Sequence, residues 1–502
     1  MLIAMTIMVP RRETPLRHVW SAAAIIGVAA LVGCGTPGVS GVAGTAPAPQ
    51  VFWTPPREQT AAVHPAGTPS QVPADLAARV QELRLADVVD IALRSNSATG
   101  AAWAQARAAA ASYGSARGQY FPTVSFEASA TTLKTAPFGG RVAAQQKYYG
   151  PTFTGSWLLL DFGERSGSIS EAREALLAAD WSHNAVIQDV VLAAEASYFV
   201  YVGTRALLTA QQTSLEEART NLEAANERHN VGLATIADVL QAKTALSRAQ
   251  LELESTEGAL QTTRGALALS MGLPANAPYD IAPLPPGPLP LGIRDSVDSL
   301  IDRAIRERPS LLAARAAARE ASARVTTVRG AALPSLVLGG TWQQVDFFNG
   351  STTGGNGYMA TIGLQIPIFK GGSQIYDVRA AQAAAQAAAE QVRGVEQQVV
   401  YQVFQAYYAL RTATQQVRTS TDLLASATQS AQVALGRYKA GAGSLLDLLT
   451  AQAALASARG EEIQARFTWY VALAQLAHDT GILGLDGASP LGVRTDTTET
   501  PP

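Results

Sequence analysis

The side chains of this 502-residue chain that could do chemistry are few and scattered. Its five histidines, His18, His64, His183, His229 and His478, show no H-x-x-x-H or other ligand spacing, so no metal site on adjacent turns is encoded. The single cysteine, Cys34, leaves no partner for an intramolecular disulfide. There is no Gly-x-Ser-x-Gly elbow and no phosphate loop. Carboxylate pairs such as Glu216-Glu217 and Glu461-Glu462 read as solvated helix faces. These absences predict a chain with no cofactor and no catalysis. One set of charges remains. Arg228, Asp238, Arg437 and Asp447 recur in matching surroundings, where an arginine can bridge neighbouring helices and an aspartate can cap a helix start.

The matching surroundings are a duplication. Arg228-His-Asn-Val-Gly-Leu-Ala-Thr-Ile-Ala-Asp238 lines up with Arg437-Tyr-Lys-Ala-Gly-Ala-Gly-Ser-Leu-Leu-Asp447, 209 positions downstream. The same offset pairs Tyr198 with Tyr407 and Leu160 with Phe369. Upstream the offset is 212, pairing Arg107 with Arg319 and Pro122 with Pro334, as a loop of variable length between Pro122 and Leu160 would produce. A unit of about 200 residues is too long for a solenoid repeat.

Bulk properties narrow the class. A net charge of −2 with only 16% charged residues carries no nucleic-acid footprint. The 47% hydrophobic content is heavy in alanine, as across Ala381–Ala389, which suits helices that approach closely rather than a thick core. At the N-terminus, Arg11, Arg12, Arg17 and His18 precede an apolar run from Val19 to Val32 that ends in Leu31-Val-Gly-Cys34. A basic region, a short apolar run and small residues before a cleavage point make a secretory signal over 1–33, with Met5 or Met8 as alternative starts. Cys directly after Leu-Val-Gly resembles a bacterial lipobox, whose thiol is acylated, with palmitate among the expected chains. Residues 34–82, rich in Pro, Ala, Gly and Thr, read as a weakly ordered tether from that anchor. The first copy then spans 83–281, a Pro-rich linker 282–295, the second copy 296–485, and a polar tail 486–502.

Each copy repeats one order of elements. A short amphipathic helix (Leu85 to Arg94; Val297 to Arg306) precedes an Ala-rich helix (Ala98 to Arg117; Leu311 to Arg329). After Pro122 and Pro334 the period changes to two. Val124, Phe126, Ala128 and Ala130 alternate with Thr and Ser, and so do Phe153, Trp157 and Leu159; in the second copy Leu336, Leu338 and Trp342, then Tyr358, Ala360, Ile362, Leu364 and Ile366, do the same. That is two β-hairpins with long loops. From Gly163 and Gly372 helix-compatible sequence runs about 65 residues, or roughly 100 Å, before Gly232 and Gly441 break it and shorter helices return. A helix of that length must cross a distance. Four strands cannot close a barrel in lipid, whereas three chains would supply twelve.

These features together resemble the TolC/OprM-type outer-membrane factor (outer membrane efflux protein) family, on its lipoprotein branch. The resemblance covers Leu83 to Leu485 and rests on the two tip motifs, on Tyr120-Phe121-Pro122, and on Pro367-Ile-Phe-Lys-Gly-Gly372, with Lys370 where the family usually has Asp. It implies a mainly α fold with a small membrane β-barrel. The repeated helix–β-hairpin–long helix–helix unit would trimerise into a 12-stranded β-barrel continuous with a 12-column α-helical barrel. It further implies an outer-membrane, lipid-anchored exit duct with its helices in the periplasm. The partners would be a periplasmic adaptor (membrane fusion) protein, an inner-membrane resistance-nodulation-division transporter and outer-membrane lipid, with no nucleic acid, and the cargo drugs or other small molecules. A type I protein-secretion duct of the same fold, or a soluble periplasmic coiled-coil scaffold, are the alternatives. By resemblance, Val231, Gly232, Leu233, Thr235, Gly441 and Ser444 form adaptor-docking tips, while Asp447, Asp238, Arg228 and Arg437 form the periplasmic gate, and Cys34 carries the lipid. Each Asp also serves the tip fold as a helix cap, and each Arg as a solvated charge, so both readings stand. Thr450, where some members carry a second Asp, argues against a double acidic ring.

Overall fold

The computed structural model describes residues 45, 46, 48–54, 82–134, 145–283, 295–348 and 353–483. The signal and acylation readings at 1–34, most of the 34–82 tether, the hairpin loops, the centre of the linker and the 486–502 tail lie outside these residues.

Each copy supplies four helices and two strands. The first has α1 (Leu85–Ser95), α2 (Ser97–Gly118), β1 (Thr123–Lys134), β2 (Gln145–Leu160), α3 (Glu164–Asn230) and α4 (Ile236–Ser270). The second has α5 (Val297–Glu307), α6 (Pro309–Gly330), β3 (Ser335–Phe347), β4 (Gly355–Gln365), α7 (Ser373–Lys439) and α8 (Leu445–Asp479). Twin helices are equal in length, with 67 residues in α3 and α7 and 35 in α4 and α8, so the helical duplication seen in sequence is a duplication of geometry. A 67-residue helix is about 100 Å long. α3 is long and apolar enough to cross a membrane, but half of its most apolar stretch is buried within the protein, as in a core helix. Val190, Ala194, Tyr198 and Val202 on one stripe of α3 pack with Ile91, Leu267 and Met271, and a backbone bridge between Leu83 and Ile281 closes the first copy. Tyr198 and Tyr201 are buried in that core and Tyr407 packs on the matching one, whereas Tyr408 is exposed.

The two copies meet along a seam that joins apolar packing, with Phe199 stacked on Tyr470 (4.7 Å), to a row of ion pairs. α3 packs against α6 and α8 of the other copy. Arg319 pairs with Glu174 (2.6 Å), Arg324 with Glu171 (2.9 Å) and Arg459 with Glu217 (3.1 Å). Near its middle, His478 sits between Asp189 (2.8 Å) and Asp479 (3.0 Å), and Arg308 reaches Asp479. Burial alone would lower the His478 pKa, but hydrogen bonds to the two carboxylates outweigh it and raise it.

Part of the stretch read as a tether is held to this body. The Trp53 N–H donates to the Asn184 side-chain oxygen (2.7 Å), and the Asn184 amide donates back to the Trp53 carbonyl (2.8 Å). His183 Nε2 meets the Val51 carbonyl and Trp103 donates to the Ala46 carbonyl. The buried Trp53 ring lies edge-on to Trp181. A composition typical of linkers hides such pinning, because one tryptophan and a few backbone hydrogen bonds suffice for it.

The strands form one sheet in the order β1-β2-β3-β4, all antiparallel. Phe126, Phe153, Trp342 and Tyr358 fall in one row across all four strands, with ring centroids 5.0 Å apart for Phe126–Phe153 and 5.7 Å for Phe153–Trp342. Residues one position away, Ser125, Thr154 and Thr341, form a row on the other face that is polar across three strands and ends at Met359. β4 ends at Gln365, one residue short of the alternating pattern, because Pro367 disfavours further regular pairing.

The two strand-to-helix junctions solve one problem differently. Phe162 adopts φ 48°, where the second copy has Gly371 at φ 62°. A non-glycine residue there costs about 1–2 kcal/mol. The first copy offsets that strain with a clamp. Buried Arg165 pairs with Asp161 and donates to the carbonyls of Leu158 (2.6 Å), Leu159 and Gln119, and its guanidinium stacks 4.9 Å from the Tyr120 ring. In the second copy Gln374 stands at the Arg165 position. Arg165→Ala is expected to destabilise the β2–α3 junction by about 3 kcal/mol, since it strands a buried carboxylate. Thermal melting should show this, with Gln374→Ala causing a much smaller loss.

Candidate functional site

Among the described residues, the sequence-selected ones fall in two exposed, ordered places: the helix tips and the sheet. At the tips α3 and α7 end in reversals that need a left-handed residue, supplied by Gly232 (φ 79°) and Gly441 (φ 71°). The returning helices start with matching capping boxes. The Asp238 N–H donates to Thr235 Oγ1 while the Asp238 carboxylate accepts from the Thr235 N–H (2.8 Å); Ser444 and Asp447 repeat this arrangement. Hydrogen bonds from Thr235 and from Ser444 hold the two carboxyls below the usual range, with Arg437 adding to the effect on Asp447. Thr235→Ala should cost the α4 start about 1 kcal/mol and accelerate amide exchange in its first turn. Because the Asp238 pKa is depressed on folding, the cap stays intact above the usual carboxylate pKa and fails as pH falls through the lowered value.

The sequence-selected residues do not all meet. Val231 and Leu233 project into solvent at 69% and 73% exposure. The guanidinium of Arg228 stacks 4.4 Å from the Tyr438 ring and donates to the Tyr438 carbonyl (3.1 Å), tying the first tip to the second. Arg437 instead donates to Ala442 of its own turn (3.3 Å). The two arginines, equivalent in sequence, therefore have different partners within the chain. Neither Asp238 nor Asp447 pairs with Arg228. Sequence reasoning missed Tyr438, although it was visible as the aromatic standing where the first copy has His229. It also missed the Asn221–Gln452 and Glu217–Arg459 contacts that continue this seam away from the tips.

At the sheet, the apolar face carries two aromatic levels. Trp157, hydrogen-bonded to the Tyr120 carbonyl (2.9 Å), marks one end, and Tyr149 against Phe348 (4.7 Å) marks the other. Eight residues of strand separate them, about 27 Å along the strand. With a tilt near 40° this is about 20 Å of height, comparable to the apolar band of an outer-membrane barrel. Trp342 and Tyr358 lie within the band, in the row described above, and Tyr148 belongs to the opposite face, against Phe347.

Comparison with known proteins agrees with this geometry. The sequence profile of the outer membrane efflux protein family matches residues 88–273 and 300–481, one span in each copy. The chain is 29% identical over 446 residues to protein CyaE of Bordetella pertussis, covering 87% of this chain and 92% of that one. It is 26% identical over 301 residues to the outer membrane efflux protein BepC of Brucella suis, covering 60% and 64%. The crystal structure of the outer membrane protein VceC of Vibrio cholerae superposes with a TM-score of 0.71 at 19% identity, over 79% of this chain and 96% of that one. Its fold is that of TolC-like outer-membrane channels, which are not enzymes. Two matched halves, each carrying a hairpin, a 67-residue helix and a capped return helix, make the chain a member of the outer membrane efflux protein family.

Proposed function

We propose that three copies of this chain form the outer-membrane exit duct of a tripartite efflux pump, which passively conducts drugs or other small molecules to the outside. The observation that carries this reading is the continuity of a two-faced, aromatic-belted sheet with helices about 100 Å long. Channels of this family are trimeric and work with adaptor proteins and inner-membrane transporters. Closing three four-stranded sheets removes every open edge, which the hydrocarbon core demands. The exposed tips, Val231, Gly232, Leu233 and Thr235 with Gly441 and Ser444, are the surface for the adaptor. Its partner across the inner membrane is a resistance-nodulation-division transporter. Arg228, Arg437, Asp238 and Asp447 constrict the periplasmic end, and acylated Cys34 anchors the chain.

A deletion strain should accumulate small-molecule drugs, and the purified protein should be a detergent-requiring trimer that inserts conductance into lipid bilayers. A soluble monomer without conductance would sink the duct reading. Unchanged drug accumulation together with loss of a secreted protein would transfer the duct to protein export.

A further inference from the structure

The tip contact within one chain specifies the contact between chains. Arg228 on the first long helix stacks on Tyr438 of the second and donates to its carbonyl. The 209-residue repeat maps Arg228 onto Arg437 and Tyr438 onto His229. In a ring built from alternating first and second copies, each Arg437 therefore meets His229 of the next chain. The surfaces agree with this. In the covered junction Leu445 is 3% exposed and Leu448 is fully buried beside Tyr438, Ala225 and Ala242. On the first tip Ile236, the counterpart of Leu445, is 58% exposed and Leu240 is 56% exposed, whereas Val239, the counterpart of Leu448, packs partly against the covered junction. Ile236 and Leu240, whose counterparts Leu445 and Leu449 pack in the covered junction, are left open among the described residues.

The two junction types differ in chemistry. A tyrosine ring stays neutral throughout the physiological range, whereas an imidazole gains a proton near its lower edge. His229 Nδ1 lies 3.0 Å from the Ala234 carbonyl, so Nδ1 carries the hydrogen and Nε2 is the atom that takes up a second proton. A neutral ring accepts a guanidinium on its face; a protonated one opposes it with like charge. Glu227 and Arg228 flank His229 on its own helix, and Asp238 and Lys243 lie on its returning helix. The facing chain brings Arg437 and Lys439 on α7 and Asp447 on α8. Both aspartates hold their capping boxes through Oδ2 and stay charged, so they temper the repulsion between the protonated ring and Arg437 without occupying the stack itself.

We propose that the second tip of each chain seats on the first tip of a second copy, Arg437 stacked on the His229 ring, and that protonation of this ring loosens three of the six tip junctions while the three Arg228–Tyr438 junctions hold. This rests on the duct reading above. By linkage, a stack that lowers the ring's proton affinity tenfold is itself weakened roughly tenfold by protonation.

The test uses the full-length protein in planar bilayers at pH 7.5 and pH 5.5. The native duct should be at least about tenfold more often open at the lower pH, since three junctions loosen together. His229→Tyr, which makes all six junctions alike, should be closed and indifferent to pH. Tyr438→His, which makes all six proton-sensitive, should respond more steeply. Conductance that ignores pH in the native protein, or a pH response surviving in His229→Tyr, overturns the latch and leaves the duct standing. No conductance in any variant or at any pH overturns the duct. Independently, oxidising the double variant Arg437→Cys/His229→Cys should give covalent dimers and trimers on non-reducing gels; purely monomeric product overturns the seating.

Discussion

A proline at Thr361 or at Ile362 is expected to abolish the detergent-resistant trimer and all channel conductance. β4 pairs with β3 on one side and is open on the other. In an antiparallel strand successive N–H groups point to opposite sides, so of two adjacent positions one serves the chain's own sheet and the other the open edge. Proline removes the donor at either. At the inward position the hairpin itself should be lost. At the outward position the four-stranded sheet should persist and only closure onto β1 of the next chain should fail, leaving a monomer with native helical content. Size-exclusion chromatography in detergent with circular dichroism separates the two. A conducting trimer from both variants would mean that β4 is not a closure strand. The expected effect is total because a barrel with one unpaired rim in hydrocarbon exposes a row of unsatisfied backbone groups, each costing several kcal/mol.

The contrast between these strands and the buried contacts shows what a sequence can disclose. The helix lengths were legible because nothing interrupts 67 residues of helix-compatible sequence between Gly163 and Val231, and the caps because Thr235 and Ser444 each stand three residues before an Asp. The hairpins were legible from period-two alternation alone. Their union into one sheet through β2 and β3 was not, since that pairing joins segments almost 200 residues apart. The tip residues were found by their repetition, but their partners were not. Arg228 meets Tyr438 across 210 residues, and His478 meets Asp189 across 289, distances over which local pattern carries no information. Duplication also misled, by suggesting that equivalent residues play equivalent parts. Arg228 and Arg437 are equivalent in sequence and differently paired, because one seam lies inside the chain and the other on its surface.

Asp180 carries the second large effect, and its sign is the reverse of an ordinary salt-bridged carboxylate. Its side chain is fully buried on α3, and neither oxygen has a hydrogen-bond partner among the described residues. Burial pushes its pKa from 3.8 up to about 8, so the folded chain keeps the proton at neutral pH while an unfolded chain releases it. A raised folded value means that the full stability is present below about pH 4 and is lost progressively as pH rises towards about 8. At about 1.4 kcal/mol for each tenfold change in proton affinity, the loss across that window is several kcal/mol. Glu195, pushed up to about 7 by burial on the same helix, adds to the trend. The second copy avoids this cost, since position 389, the counterpart of Asp180, is Ala. Asp180→Ala is therefore expected to stabilise the protein at pH 8 by several kcal/mol, reduced by a cavity penalty of about 1 kcal/mol. Near pH 4, where about half of the unfolded chains also keep the Asp180 proton, little of that gain remains and the cavity penalty should leave the variant slightly the less stable. Melting curves at pH 4, 6 and 8 test this through a crossover. A variant that is destabilised equally at all three would show that folding does not raise the Asp180 pKa.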